Sequence, residues 1–337
     1  MSSPAIVYLD QNYISNITKA RLGMIKNDSA KEFWTSLFKD LKNAVAANKI
    51  ACPSSEFHQE EGSFDRRLEP EINKTAAQLS YGLEFNEWDV ILQTQIEHAA
   101  HKFLGKSLPP VADWSIAYNS DPKSPVENRM EDINGAKVKI NVFFSMPELL
   151  VKRWRQSKEK WADKAKTAIS HRESASWDEA LLEGKRAFIY QLFGAPAFIS
   201  SLQKAQNGDQ YDKENEAAKF VELLERLAKL TSIGIKTFTF FDSSELLSIP
   251  FIDIFCSICE AQKYYHFTRT PQNSDLRDFA ILATVVPYCD IVTTDIFMKE
   301  VLVKTLPFDE KYNCKIFSGS QKDQQTLQQL ITELSQE

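Results

Sequence analysis

Apolar and polar positions in this chain follow two different rhythms, and the switch between them divides the sequence. Ile6, Val7, Tyr8 and Leu9 form an apolar, β-favouring run that stops at Asp10. From 28 to 48 the apolar residues Phe33, Leu37, Leu41 and Val45 recur at helical spacing, with Asp28 or Ser29 placed to cap the helix. "KIACPSSEF" then reads as a short strand halted by Pro53. Strand, helix and strand joined by short links open a parallel α/β sheet.

From 70 to 233 the pattern is mostly helical. The segments fall near 71–105, 146–170, 176–205 and 213–232, with loop-like text over 106–135 and an expected strand at "KVKINVFF". The α/β rhythm returns at "GIKTFTFFD" (234–242), whose alternation and β-branched residues predict a strand. A helix is expected over 243–264 and another from 274, followed by a turn from Pro287 to Asp290 and a strand over 291–294. A short helix, a strand at "CKIFS" and an amphipathic helix from 321 complete the pattern. The expected organisation is one α/β domain in two pieces, 1–64 and 234–337, separated by a helical insertion at 65–233.

Composition adds limits. The 337 residues are 43% hydrophobic and 26% charged, enough to bury a core and stay in solution. No run approaches the roughly 18 apolar residues of a membrane span, and "MSSPAIVYLD" lacks the basic-then-apolar order of a secretory signal. The expected compartment is the cytoplasm, without a membrane partner. Five cysteines, an odd number, suit reduced thiols, and the single CxxC at Cys256 and Cys259 sits in "FIDIFCSICEAQ", which reads as a buried helix and so as core packing. The net charge of −6 leaves nucleic-acid binding to a local basic patch.

The candidate chemistry lies in the acids. In open parallel sheets functional groups gather beyond the carboxyl ends of the strands. Asp10 closes the first strand, Glu56, Glu60 and Glu61 follow the second, and Asp295 closes "DIVTTD". Asp275 and Asp278 open the preceding helix; their spacing, like that of Glu56 and Glu60, puts each pair on one helix face. Carboxylates crowded into one pocket raise each other's pKa unless cations neutralise them, and hard oxygen ligands select Mg²⁺ or Mn²⁺. Two such ions, about 4 Å apart, can activate water and stabilise the leaving oxygen in phosphodiester hydrolysis. Taken singly, each acid has a plainer reading as a turn, cap or surface residue.

Three stretches resemble the PIN-domain nucleases, a family that includes the ribonucleases of bacterial toxin–antitoxin pairs. "YLDQN" is similar to the family's opening LDTN, with Gln11 where Thr or Ser is usual. "IACPSSEFHQEEG" resembles its second strand and acid-bearing helix, and Glu60 falls on the acidic position. "DFAILATVVPYCDIVTTD" resembles its closing motif, with 17 residues from Asp278 to Asp295. The resemblance covers the two ends of the chain. It implies a parallel five-stranded sheet flanked by helices, here with a large, mostly α-helical insertion. It implies metal-dependent cleavage of RNA, less often DNA, by Asp10, Glu60, Asp278 and Asp295 with Mg²⁺ or Mn²⁺. Asp275 and Glu56 would be further metal candidates, and Asn12 and Thr293 supporting groups behind the ligands.

The insertion carries its own candidate. "VKRWRQSKEKWADKAKTAISHR" (151–172) holds eight Lys or Arg against two acids, with Trp154 and Trp161 between them. Lys152, Arg153 and Arg155 could neutralise phosphates and Trp154 could stack on an unpaired base, although a solvated amphipathic helix has the same pattern. His98 and His101 are three apart on a predicted helix without an evident third zinc ligand, and His58, between the glutamates, reads as a substrate contact or a surface group.

The expected function is thus a Mg²⁺- or Mn²⁺-dependent endoribonuclease, with a role in toxin–antitoxin systems or defence resting on analogy. The expected partners are single-stranded RNA in preference to duplex, a cognate antitoxin or regulatory protein, and a second copy of the chain. The alternative is a non-catalytic PIN-like scaffold for RNA or protein. A phosphatase with Asp10 as nucleophile would want an acid at position 12, which is Asn. No glycine-rich turn after the first strand supports a nicotinamide cofactor.

Overall fold

A computed structural model describes residues 3–58, 67–106, 113–126, 161–170, 176–192, 237–265, 267, 269–272 and 274–336. The chain divides into two units. The first comprises Met1–Ile91, Val111–Ile140 and Thr284–Glu337; the second comprises Leu92–Pro110 and Asn141–Ala283. The stretch from 237 to 283, which the sequence pattern joins to the C-terminal α/β piece, clusters here with the second unit.

In chain order the elements are β1 (Ala5–Tyr8), α1 (Gln11–Arg21), α2 (Asp28–Ala46), β2 (Ile50–Ala51), α3 (Glu69–Ser80) and α4 (Trp88–Phe103). Next come α5 (Trp161–Ser170), α6 (Trp177–Leu192), α7 (Thr237–Phe241), α8 (Ser244–Leu247), α9 (Pro250–Tyr264) and α10 (Asp275–Val285). The last are β3 (Ile291–Thr294), α11 (Ile296–Glu300), α12 (Phe308–Lys311), β4 (Lys315–Ser318) and α13 (Gln321–Gln336). A π-helical turn, Val301–Thr305, continues α11.

The first unit is built on a parallel sheet of four strands in the order β2-β1-β3-β4. The expectation of five strands is corrected to four among the described residues; the segment read as "KVKINVFF" lies outside them. Ala5 pairs with Ile50, Val7 with Ile291 and Ile291 with Lys315, so β1 and β3 form the centre of the sheet. The chain runs from β1 outward to β2 and later returns on the other side of β1 as β3. The order therefore reverses between β1 and β3, and the crevice beyond their carboxyl ends is where open α/β sheets bind ligands.

Alternation along β1 serves two faces. Val7 and Leu9 join a core with Tyr13 and Ile17 of α1, Leu37 and Leu41 of α2, and Leu327 of α13. Tyr8 turns to the other face, where Phe85 meets it edge-on with ring centroids 5.8 Å apart. Burial of this kind contributes roughly 1.5–3 kcal/mol per large apolar side chain. The cap of helix α2 is Asn27, one residue before Asp28 and two before Ser29; it accepts from the Ala30 N–H at 2.9 Å.

Helix α1 is absent from the sequence pattern because "QNYISNITKAR" is rich in Asn, Ser and Thr, which are poor helix formers. Its stability comes from Asp10 as cap and from burial of Tyr13, Ile14 and Ile17. The helix read over 71–105 is two helices, α3 and α4; α3 ends on Tyr81 in the left-handed conformation (φ 48°).

The second unit corrects another expectation. Thr237–Phe241, predicted as strand, is helix α7. Consecutive Phe240 and Phe241 are both buried, and Phe240 packs on Phe103 at 5.4 Å, so tertiary contact overrides the β-branched pattern. The helix expected over 243–264 breaks in two. Ser243 caps α8, and Pro250, which lacks an N–H to donate, opens α9.

Nearly every residue of α9 is buried, and it packs against α6 and α5. Its two acids are paired: Asp253 accepts from Lys185 at 2.7 Å and Glu260 from Lys263 at 2.5 Å. Cys256 and Cys259 are buried there, as the core-packing reading expected, and burial pushes both thiols up. All five cysteines are free. Among the described residues no helix is long and apolar enough to cross a membrane.

Candidate metal centre

Two strand–aspartate–helix units stand side by side in the first unit. Asp10 follows β1 and caps α1; Asp295 follows β3 and caps α11. Both backbones are extended at the cap, with φ −68° and ψ 169° at Asp10 and φ −71° and ψ 167° at Asp295. Each carboxylate accepts from the N–H three residues on, Asp10 Oδ1 from Tyr13 at 3.0 Å and Asp295 Oδ1 from Met298 at 2.8 Å. β1 and β3 are hydrogen-bonded neighbours, so the two acids emerge at the same edge of the sheet.

Thr293 fixes Asp10 from the neighbouring strand. Its Oγ1 accepts from the Asp10 N–H at 2.7 Å and donates to Asp10 Oδ1 at 3.3 Å. Asn12 Nδ2 donates to Asp10 Oδ2 at 3.4 Å. Thr293 and Asn12, expected as supporting groups, thus both hydrogen-bond to Asp10. Burial pushes the Asp10 carboxyl up to about 6, and the nearby Asp295 charge adds to it; the hydrogen bonds from Tyr13, Asn12 and Thr293 oppose the rise.

At the end of β4, bonded to Ser318, lies an acid that the sequence pattern does not mark. Asp323 accepts from the Ser318 N–H at 2.8 Å, from Ser318 Oγ at 2.5 Å and from Lys299 Nζ at 2.7 Å. These donors hold its carboxyl below the ordinary value although burial acts the other way. The only sequence signal is an Asp in the first turn of the helix after "CKIFS". Tyr13 ties α1 to the same edge, its hydroxyl donating to the Ser318 carbonyl at 2.8 Å.

The remaining candidates fall out as follows. Glu56, beyond β2, accepts from the Trp88 N–H at 3.0 Å and so helps to start α4. Asp275, in the second unit, is fully buried, with Oδ1 on Arg269 at 2.6 Å and Oδ2 on the Gln272 N–H at 2.9 Å and Gln262 at 3.2 Å. Its oxygens are engaged in holding the approach to α10. Asp278 is partly exposed in the first turn of α10, also in the second unit. Glu60, Glu61, Lys152, Arg153, Trp154 and Arg155 lie outside the described residues.

His58 is neither of the things the sequence suggested. It is 3% exposed, with Nδ1 accepting from the Ser55 N–H at 3.1 Å and Nε2 lying 2.7 Å from the Leu9 carbonyl oxygen. Its ring stacks on Tyr8 at 5.2 Å.

Two adjacent carboxylates, each with one oxygen on its own helix, suit a hard divalent cation, since Mg²⁺ commonly takes one or two protein carboxylates and keeps several waters. Among the described residues no group of three or more His, Cys, Asp or Glu is placed to hold a metal ion. Family models, curated proteins and solved structures give no match to this chain.

Proposed function

We propose that the chain is a metal-dependent nuclease that hydrolyses RNA phosphodiester bonds at the edge formed by Asp10 and Asp295, in the manner of the PIN-domain family it resembles. One observation carries this reading: the two acids end neighbouring parallel strands where the strand order reverses, with the Asp10 carboxyl raised to about 6 by burial beside a second negative charge. A divalent cation there, Mg²⁺ or Mn²⁺, would neutralise the pair and supply activation of a water for attack on phosphorus. Thr293 and Asn12 orient Asp10. Glu60 and Asp278 are further ligands only by the resemblance; among the described residues no third acid joins the pair.

The substrate in this reading is single-stranded RNA, with Lys152, Arg153, Arg155 and Trp154 as its contacts. A cognate antitoxin, a homodimer, a cytoplasmic setting and a toxin or defence role belong to the same proposal by analogy. The test is cleavage of single-stranded RNA with Mn²⁺, with and without chelator, for wild type and Asp10→Asn. Chelator-sensitive cleavage lost in the variant supports the reading; equal cleavage by both proteins ends it.

One observation favours a second reading, the non-catalytic PIN-like scaffold. Both carboxylates already serve as helix caps, and no third ligand joins them among the described residues. RNA retained on the protein without Mn²⁺-dependent cleavage would select it.

A further inference from the structure

We infer that His58 is a positioning residue for Asp10, acting through the peptide that carries it; this rests on the reading of Asp10 as a metal-binding acid. A buried neutral imidazole has one donor and one acceptor, and here the partners fix which is which. The Ser55 N–H can only donate, so Nδ1 accepts from it at 3.1 Å. The Leu9 carbonyl can only accept, so Nε2 carries the proton and donates to it at 2.7 Å. The ring thus spans from the turn after β2 to the Leu9–Asp10 peptide just beyond β1.

That peptide matters because the Leu9 carbonyl belongs to the same planar unit as the Asp10 N–H. The N–H is held by Thr293 Oγ1 at 2.7 Å, and Thr293 also donates to the Asp10 carboxylate. One peptide plane is therefore clamped on both sides, by β3 through Thr293 and by the turn after β2 through His58. The Tyr8 ring stacks on the imidazole, and its hydroxyl lies 3.1 Å from Ser55 Oγ, closing the bracket. Without the His58 donor, the carbonyl loses a buried partner and the plane can rotate, taking the Asp10 carboxylate with it.

Three variants separate the two ends of the bracket. Gln places an amide donor near the position of Nε2, Asn places an acceptor near that of Nδ1, and Phe keeps only the stacking. Mn²⁺ affinity is measured by calorimetry and RNA cleavage by gel. Amide hydrogen exchange over residues 9–14 is followed by mass spectrometry without metal, and melting temperature monitors folding. His58→Gln should keep Mn²⁺ affinity within about threefold of wild type and protect 9–14, whereas His58→Asn should lose about tenfold or more in affinity and exchange 9–14 faster.

A Gln variant no better than Asn in both affinity and exchange, with both proteins folded, overturns the positioning role. If wild type neither binds Mn²⁺ nor cleaves RNA, the nuclease reading fails, and exchange over 9–14 still decides whether His58 holds Asp10. His58→Phe is the severe case, and its failure to fold would leave the Gln–Asn comparison intact.

Discussion

Asp10 and Asp295 repeat one another: each leaves the carboxyl end of a parallel strand in extended backbone, and each accepts the N–H three residues further on. The strands are neighbours, so two helix N-termini and two carboxylates meet at one edge. Helix ends favour nearby anions by about 0.3–1 kcal/mol each. At Asp10 that gain does not offset burial and the second charge, and the carboxyl stays protonated to a pH about 2 higher than in the unfolded chain.

This sets the sign of a pH effect. The folded pKa of Asp10, about 6, lies above its ordinary 3.8. The folded state therefore binds the proton more tightly, and stability declines as pH rises from about 4 to about 6, then levels off. The full linkage is about 3 kcal/mol, and residual solvent access trims it to about 2 kcal/mol. Asp10→Asn keeps a good cap and removes the charge. Its melting temperature at pH 7 should exceed that of wild type, and its stability should be flatter between pH 4 and 6, as thermal denaturation across that range would show.

Divalent cations should act in the same window. If Mn²⁺ seats between the two carboxylates, it relieves the repulsion and binds only the folded chain. At a hundredfold excess over its dissociation constant it would add about 2.7 kcal/mol. The melting temperature of wild type at pH 7 should rise with Mn²⁺, that of Asp10→Asn much less, and both responses should vanish with chelator. An equal rise in both proteins would place the ion elsewhere.

Asp275 should behave in the opposite way to Asp10. Its carboxylate is fully buried and bound by Arg269, Gln262 and the Gln272 N–H. Asp275→Asn breaks the buried ion pair with Arg269 and should cost about 3 kcal/mol. Denaturant unfolding of the second unit would register that loss, while Mn²⁺ affinity should hold in the fraction that folds.

How much of this was legible follows from where the signals are local. The strands at Ala5–Tyr8, Ile291–Thr294 and Lys315–Ser318 stand within a residue of their expected places because each is a short apolar run between turn residues. Asp10 and Asp295 are readable because strand ends in a parallel sheet are marked by such runs, whereas Thr293 enters only through the family resemblance. Asp323 was not, since its partners Lys299 and Ser318 meet it only once α11, β4 and α13 are assembled. His58 was hidden for the same reason: its hydrogen bond to Leu9 joins residues 49 apart in sequence. The helix at Thr237–Phe241 went unread because Phe240 and Phe241 are specified by burial in the second unit rather than by local propensity.

The close pairing of α6 and α9 depends on a residue with no side chain. A Cβ added at Gly184 would stand 2.5 Å from Glu260 Cγ and 2.6 Å from its Oε1. Glu260 is itself buried and bound to Lys263, so it cannot swing away without breaking that pair. Gly184→Ala gains about 1 kcal/mol of helix propensity but forces overpacking that costs roughly 1–3 kcal/mol. The net effect should be a loss of about 1 kcal/mol. Glu260→Ala removes the clashing atoms, so in that background the same Gly184→Ala change should become neutral or stabilising. A double-mutant cycle by chemical denaturation measures the coupling, and additive effects would mean that the two helices are spaced by something other than this contact.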